Sequence, residues 1–283
     1  MKLTSSSWFF LVTGANAFRL TKIASIASSS TLSMSMKPTY EAISSKVVQK
    51  LGLQTTDFTE SYNVNTWSCS NTGITGTAEW MSEASPKYLT GVSLCTRVNG
   101  DSSDEQLTVN VWMGPSYDVP HLLMTFGEQA NGKYAVTADY VVRGDTPIGS
   151  NPQYVGMFYS GDVTAAWTQA HHSEGSQPLA PQGSFEERLL ASPVRIAVGG
   201  LSKNVAEDIV NAHLDRFLSW VEAAEPIPAR SRGSMNLRDD KLRQYFYRGA
   251  VNNNVKVFGD VLGPIIAVGN TGPTAESYVG GGS

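Results

Sequence analysis

The chain has 283 residues and a mass of 30.5 kDa, enough for one large domain or two modest ones. Hydrophobic residues make up 41% and charged residues 16%, which supports a packed core and excludes a disordered chain. Residues 1–37 carry Lys2, Arg19, Lys22 and Lys37 and no acid, leaving 17 basic against 25 acidic residues, about −8, for the rest. That balance argues against DNA or RNA as the partner, because phosphate binding needs basic surface.

Lys2 precedes the short apolar run Trp8-Phe9-Phe10-Leu11-Val12, which ends in the small residues Gly14-Ala15-Asn16-Ala17. This is the layout of a signal peptide over 1–17, and the run is too short to span a bilayer. Residues 18–36 are rich in Ser and Thr, contain Lys22 and lack acids, the composition of a transit peptide. Together they predict the bipartite leader that crosses the extra membranes of a secondary plastid, with delivery to the stroma. The junction Ala15-Asn16-Ala17-Phe18 resembles the Ala-x-Ala-Phe motif of diatoms and related algae. A secreted protein with a Ser-rich leader is the competing reading. Only two cysteines, Cys69 and Cys95, count against it. They lack metal-ligand spacing and read as buried thiols.

The mature chain is expected to form one domain over 37–268, followed by a Gly-rich, frayed tail over 269–283. Residues 39–51 predict an amphipathic helix with Ile43, Val47, Val48 and Leu51 on one side. Strand-like runs follow at Ile74–Met81, Tyr88–Val98 and Gln106–Met113. His121–Gln129 and Lys133–Arg143 flank Asn131-Gly132, which predicts a hairpin with a two-residue type I′ turn. That turn would put Glu128 and Asp139 on one sheet face, about four residues apart. Residues 152–172 look partly helical, 174–188 form a polar connection, and Val194–Val198 is a short strand. The apolar stripe Ala206, Ile209, Val210, Leu214, Phe217, Leu218 and Val221 marks the strongest helix, capped by Ser202 and stopped by Pro226 and Pro228. Arg230–Asn236 reads as a polar loop, Asp239–Arg248 as a helix and Val255–Val268 as a further apolar segment. The pattern predicts an α+β fold, an α/β/α sandwich with a central antiparallel sheet between helices.

Motifs for phosphate loops, dinucleotide binding, zinc or a serine nucleophile are missing from the sequence. His171-His172 adjoins Glu174, but neighbours on a helix point about 100° apart and cannot chelate one metal cleanly. His213 borders the apolar stripe, where a packing histidine is commoner than a catalytic one.

Several segments together resemble the red chlorophyll catabolite reductase family. Val119-Pro120-His121-Leu122-Leu123-Met124-Thr125-Phe126 is similar to its Pro-x-Phe/Leu-x-x-Glu strand. Ala138-Asp139-Tyr140-Val141-Val142-Arg143-Gly144-Asp145, then Asn151-Pro152-x-Tyr154 and Phe158-Tyr159, are similar to its Leu-Asp-Leu-x-x-Arg-x-Asp, Asn-Pro-x-Tyr and paired aromatics. Leu190-Ala191-Ser192-Pro193 resembles its Ser-Pro turn. The helix with His213 and Trp220, then Arg238-Asp239 and Val257-Phe258-Gly259, resemble its later blocks. The resemblance spans roughly residues 85–262.

The resemblance implies the α/β/α sandwich of the ferredoxin-dependent bilin reductases and a plastid oxidoreductase that reduces a C=C bond of an open-chain tetrapyrrole. In chlorophyll breakdown this converts the red catabolite to a primary fluorescent one. Reduced ferredoxin is the external electron donor, and no bound cofactor or metal is implied. The protein then excludes water, orients the tetrapyrrole and delivers protons, which calls for an acid with a raised pKa. Asp139, Glu128 and Asp239 are the nearby acids that stand as candidate donors, and His121, Thr125, Arg143, Ser192 and His213 are the substrate-binding candidates.

Here the sequence departs from the family pattern. Thr125 stands where plant members carry a Glu, and the C-terminal acid falls near Arg248-Gly249. Asp139 reads either as the donor or as the structural partner of Arg143 on the same strand. A second function class therefore stands beside the reductase, a non-catalytic tetrapyrrole carrier. Arg230, Arg232, Arg238, Lys241, Arg243 and Arg248 concentrate 6 of the 17 basic residues in 19 positions. They form either a ferredoxin-docking patch or a solvated face. No residue fixes the oligomeric state, and a homodimer is among the options.

Overall fold

The computed structural model describes residues 37–55, 66–70, 72–83, 88–99, 105–129, 131–143, 152–180, 188 and 190–274. The predicted leader, Gly144-Asp145, Asn151, part of the polar connection (181–187) and the end of the tail (275–283) lie outside these residues.

Helix α1 (Lys37–Leu51) opens the domain, and the predicted residues Ile43, Val47 and Leu51 are its buried side. Nine strands follow in one antiparallel sheet: β1 (Leu53–Thr55), β2 (Trp67–Cys69), β3 (Ile74–Glu83), β4 (Leu89–Asn99), β5 (Glu105–Met113), β6 (His121–Glu128), β7 (Tyr134–Val141), β8 (Gln177–Pro178) and β9 (Ile196–Leu201). Their spatial order is β1-β3-β4-β5-β6-β7-β9-β8, with β2 paired to β3. Among the described residues, helices α2 (Pro152–Phe158) and α3 (Asp162–His172) lie between β7 and β8, and α4 (Lys203–Glu222) follows β9. The last, α5, runs Ala229–Thr271.

Strand alternation divides the sheet into two unlike faces. Leu107, Val109, Val111, Leu122, Met124, Phe126, Val136 and Ala138 share one apolar face with the main core, which also takes in α1 and the stripe of α4. The Ser202 hydroxyl caps α4 by accepting from the Val205 N–H, as expected. The other face lies under α5 and is a mixture of aromatic and polar side chains. Helices thus cover both faces, and the predicted α/β/α sandwich is the observed architecture. Cys69 and Cys95 are buried free thiols, and Cys95 is pushed up to about 11 by burial.

Three expectations are corrected. The β6–β7 hairpin closes at Gln129, whose N–H donates to the Lys133 carbonyl at 2.6 Å, while the Gly132 N–H donates to the Gln129 carbonyl at 2.8 Å. The loop therefore holds three residues instead of two, and the register moves by one. Leu123 opposes Asp139 and Glu128 opposes Tyr134, so Glu128 and Asp139 lie on opposite faces.

Arg230–Asn236 is the first part of α5 and not a loop, with Pro228 as its N-cap. Proline fixes φ at −54° there, its ψ of 136° keeps it outside the helix, and the helix runs on from Ala229. Gly259, at φ 79 and ψ 174, breaks α5 into arms over 229–258 and 260–271. A Cβ at Gly263 would lie 2.6 Å from the Val255 nitrogen, so the arms cross in close contact, and Ala250 packs with Ala267.

Residues 269–274, read from the sequence as frayed, pack on the sheet. The Asn110 side-chain amide donates to the Asn270 carbonyl at 2.9 Å, the Ser93 hydroxyl donates to the Gly269 carbonyl, and Thr271 and Thr274 are buried.

Candidate functional site

On the α5 face, the register stacks polar residues in cross-strand rows. One row is Cys95, Thr108, Thr125 and Thr137, and the next is Ser93, Asn110, Leu123 and Asp139. Both run from β4 to β7, about 14 Å at the ordinary strand spacing. All of these side chains are buried. The Thr108 and Thr125 hydroxyls lie 3.4 Å apart. Asn110 Oδ1 and Thr137 Oγ1 find no protein partner, and neither does Nδ2 of the buried Asn254 on α5. Buried polar atoms are ordinarily paired. A stripe with several such atoms is suited to a ligand carrying its own donors and acceptors.

Asp139 sits at the end of the second row. Its carboxylate accepts the Ser192 N–H at 3.2 and 3.3 Å, and burial pushes its pKa up to about 6 against the pull of Ser192 and Arg195. Two predicted site residues, 53 positions apart, are thereby joined. The predicted pairing of Asp139 with Arg143 does not occur. The five N–H donors of Arg143 go instead to Asp239 Oδ1 and Oδ2 and to the carbonyls of Gly114, Tyr117 and Val119. Arg143 has no donor left for a substrate and acts as the clamp that ties α5 to the edge of the stripe.

His121 completes that clamp. Its Nδ1 accepts the Met113 N–H at 2.9 Å, which fixes the proton on Nε2, 3.3 Å from Asp239 Oδ1. Burial lowers its pKa to about 4, so the ring is neutral at physiological pH. Burial would raise Asp239, yet His121 and Arg143 hold it down at about 2. With His121 neutral, the permanent charge of Arg143 keeps Asp239 ionised near pH 7. A carboxyl so held is an anchor and a poor proton donor.

The remaining predicted residues separate. Thr125 lies on the Asp139 face, 2% exposed, between Thr108 and Thr137. Glu128 lies on the opposite face, where it bonds the Tyr134 hydroxyl. His213 is on α4, also on that opposite side, with its ring stacked at 3.9 Å and 4° on Tyr140. It borders a small cavity of about 250 Å³, distinct from the stripe. Among the described residues, no three His, Cys, Asp or Glu side chains converge as metal ligands. No helix there is long and apolar enough to cross a membrane.

Sequence reading missed Ser93, Asn110 and Asn254. Asn110 carried a usable signal, since a lone amide alternates there with Val109 and Val111 in a strand otherwise fit for the core.

No protein-family model matches the chain, and no curated protein is similar to it in sequence. Its structure is similar to the crystal structure of phytochromobilin synthase from tomato in complex with biliverdin. The match has 14% identity and a TM-score of 0.63, over 87% of this chain and 88% of that one. The likeness is one of fold, and it extends over nearly the whole of both chains.

Proposed function

We propose that the protein is a ferredoxin-dependent reductase of an open-chain tetrapyrrole, acting in the plastid, with the red chlorophyll catabolite as the substrate that its sequence resemblance favours. The observation that carries this reading is Asp139, a carboxyl at the end of a polar stripe whose burial pushes its pKa up to about 6. Biliverdin, the ligand of the tomato protein that shares the fold, is itself an open-chain tetrapyrrole.

Saturating one C=C bond takes two electrons and two protons. Two molecules of reduced ferredoxin supply the electrons singly and leave oxidised. Asp139 gives a proton to the reduced tetrapyrrole and is recharged from solvent, from which the second proton also comes. With a pKa of about 6, roughly a tenth of the carboxyl is protonated at pH 7, and an apolar substrate beside it raises that fraction. Asn110 and Thr137 offer hydrogen bonds to the pyrrole and lactam groups, while Trp112 and Phe246 supply apolar surface.

A second reading is a tetrapyrrole carrier, favoured by Thr125 at the position where the family resemblance expects an acid. Purified protein incubated with the red catabolite, ferredoxin and a reductant separates the two. A reductase bleaches the conjugated chromophore with turnover. Tight binding with the absorbance intact supports the carrier and rejects the reductase.

A further inference from the structure

The sheet face away from the stripe borders a second, larger cavity. It has a volume of about 630 Å³ and lies between the loop before β6, α2 and the end of α4. That size is in the range of small-molecule sites. Tyr154, Phe158 and Trp220 line it. Their rings are fixed by mutual packing, at 4.8 Å for Tyr154–Phe158 and 5.0 Å for Phe158–Trp220. Met157 stands at the rim, 64% exposed, an unusual position for so large an apolar side chain.

The charges at this cavity have one sign. Asp118 and Glu225 line it, and its described lining contains no Lys, Arg or His. Asp118 Oδ1 is buried without a hydrogen-bond partner. Burial raises the pKa of the Asp118 carboxyl against the pull of Arg143 and Arg238, which lie outside the lining, and the donors of Arg143 are committed elsewhere. An anion in the cavity would meet two carboxylates and no basic group of the described lining. A cation in the cavity is attracted by both carboxylates, and the aromatic faces attract cations as well.

We propose that this cavity binds an organic cation, an aryl- or alkylammonium whose charge lies against Asp118 and whose apolar body rests on Tyr154, Phe158 and Trp220. The assignment is independent of the reductase reading, since it uses none of the stripe residues. The net acidity of the mature chain favours the approach of such a ligand.

The test is calorimetric titration of the full chain with benzyltrimethylammonium chloride and with neutral 2,2-dimethyl-3-phenylpropan-1-ol, which has nearly the same shape. The cation should bind at least about tenfold more tightly than the alcohol. Asp118→Asn should abolish most of that preference. Met157→Lys, at an exposed rim position that tolerates substitution, should weaken the cation by about tenfold or more and leave the alcohol little changed. Equal affinity for the two probes would overturn the proposal. So would a cation affinity unchanged in the Met157→Lys protein, whether or not Asp118→Asn folds.

Discussion

Arg143 and Asp239 stand 96 positions apart, and their side chains meet in a two-pronged fork buried beneath α5. Three carbonyls of the segment between β5 and β6 take the other donors of the same guanidinium. One side chain therefore fixes the end of β7, the loop before β6 and the long C-terminal helix against one another.

Removing one partner strands a charge in the interior. Arg143→Ala should cost about 3–5 kcal/mol, and Asp239→Ala a similar amount, while the double variant should cost less than the two added together. Urea unfolding of the four proteins checks this. Additive losses would mean that the fork contributes no coupling.

Stability should also depend on pH in a way that the buried groups set. Burial holds His121 at about 4 and His213 at about 3, against an ordinary 6.5, so both stay neutral when folded. As pH falls below 6.5 the unfolded chain takes up protons that the folded one refuses, and stability drops. Asp139 works in the opposite sense. Its folded value of about 6 against 3.8 means that the folded state keeps a proton the unfolded chain has given up. That contribution is lost as pH rises through 6. Between pH 4 and 6 these three groups leave a net difference of about one proton, or about 1.4 kcal/mol of stability gained per pH unit. Asp139→Asn removes the counterweight, so its stability should climb with pH by about one proton more steeply than the wild type. Parallel curves for the two proteins would show that Asp139 is not a buried, raised carboxyl.

Much of the architecture was legible before any coordinates. The apolar spacing of α4 and the alternation in β7 marked the right elements, because each is a local periodicity. Asn131-Gly132 marked the hairpin but not its parity. One extra loop residue decides which face Asp139 shares, and it brought Thr125 there in place of Glu128. The start of α5 was hidden because Ser231, Gly233 and Ser234 are poor helix formers, held in place here by the burial of Met235 and Asp239. The contacts that define the site join Asp139 to Ser192 and Arg143 to Asp239, pairs whose separation carries no periodic signal. Thr125, Asp139 and Ser192 were found as residues. That Ser192 meets Asp139 was not.

The basic residues of α5 give a third prediction, now sorted by their commitments. Arg243 donates to the Pro273 carbonyl and Asp240, and Arg232 to the Ile227 carbonyl, whereas Arg230 and Lys241 are exposed. If this ridge docks ferredoxin, Arg230→Glu with Lys241→Glu should slow reduction several-fold and flatten its salt dependence. Tetrapyrrole affinity should stay unchanged. Equal turnover of the reversed protein across a salt series would exclude the ridge as the docking surface.

Targeting is tested separately, because it rests on the leader alone. Residues 1–45 fused to a fluorescent protein should enter the plastid of a diatom, and Phe18→Ala should divert the fusion. Unaltered import of the Phe18→Ala fusion would contradict the bipartite reading.

The assignment of Asp139 as proton donor is the central claim, and Asp139→Asn tests it most directly. Asparagine keeps an oxygen for the Ser192 N–H and removes only the acidic proton. Tetrapyrrole affinity should therefore stay near the wild-type value while turnover with reduced ferredoxin falls by about 10²–10⁴. Turnover at the wild-type rate, in a protein that binds and folds normally, would contradict the account.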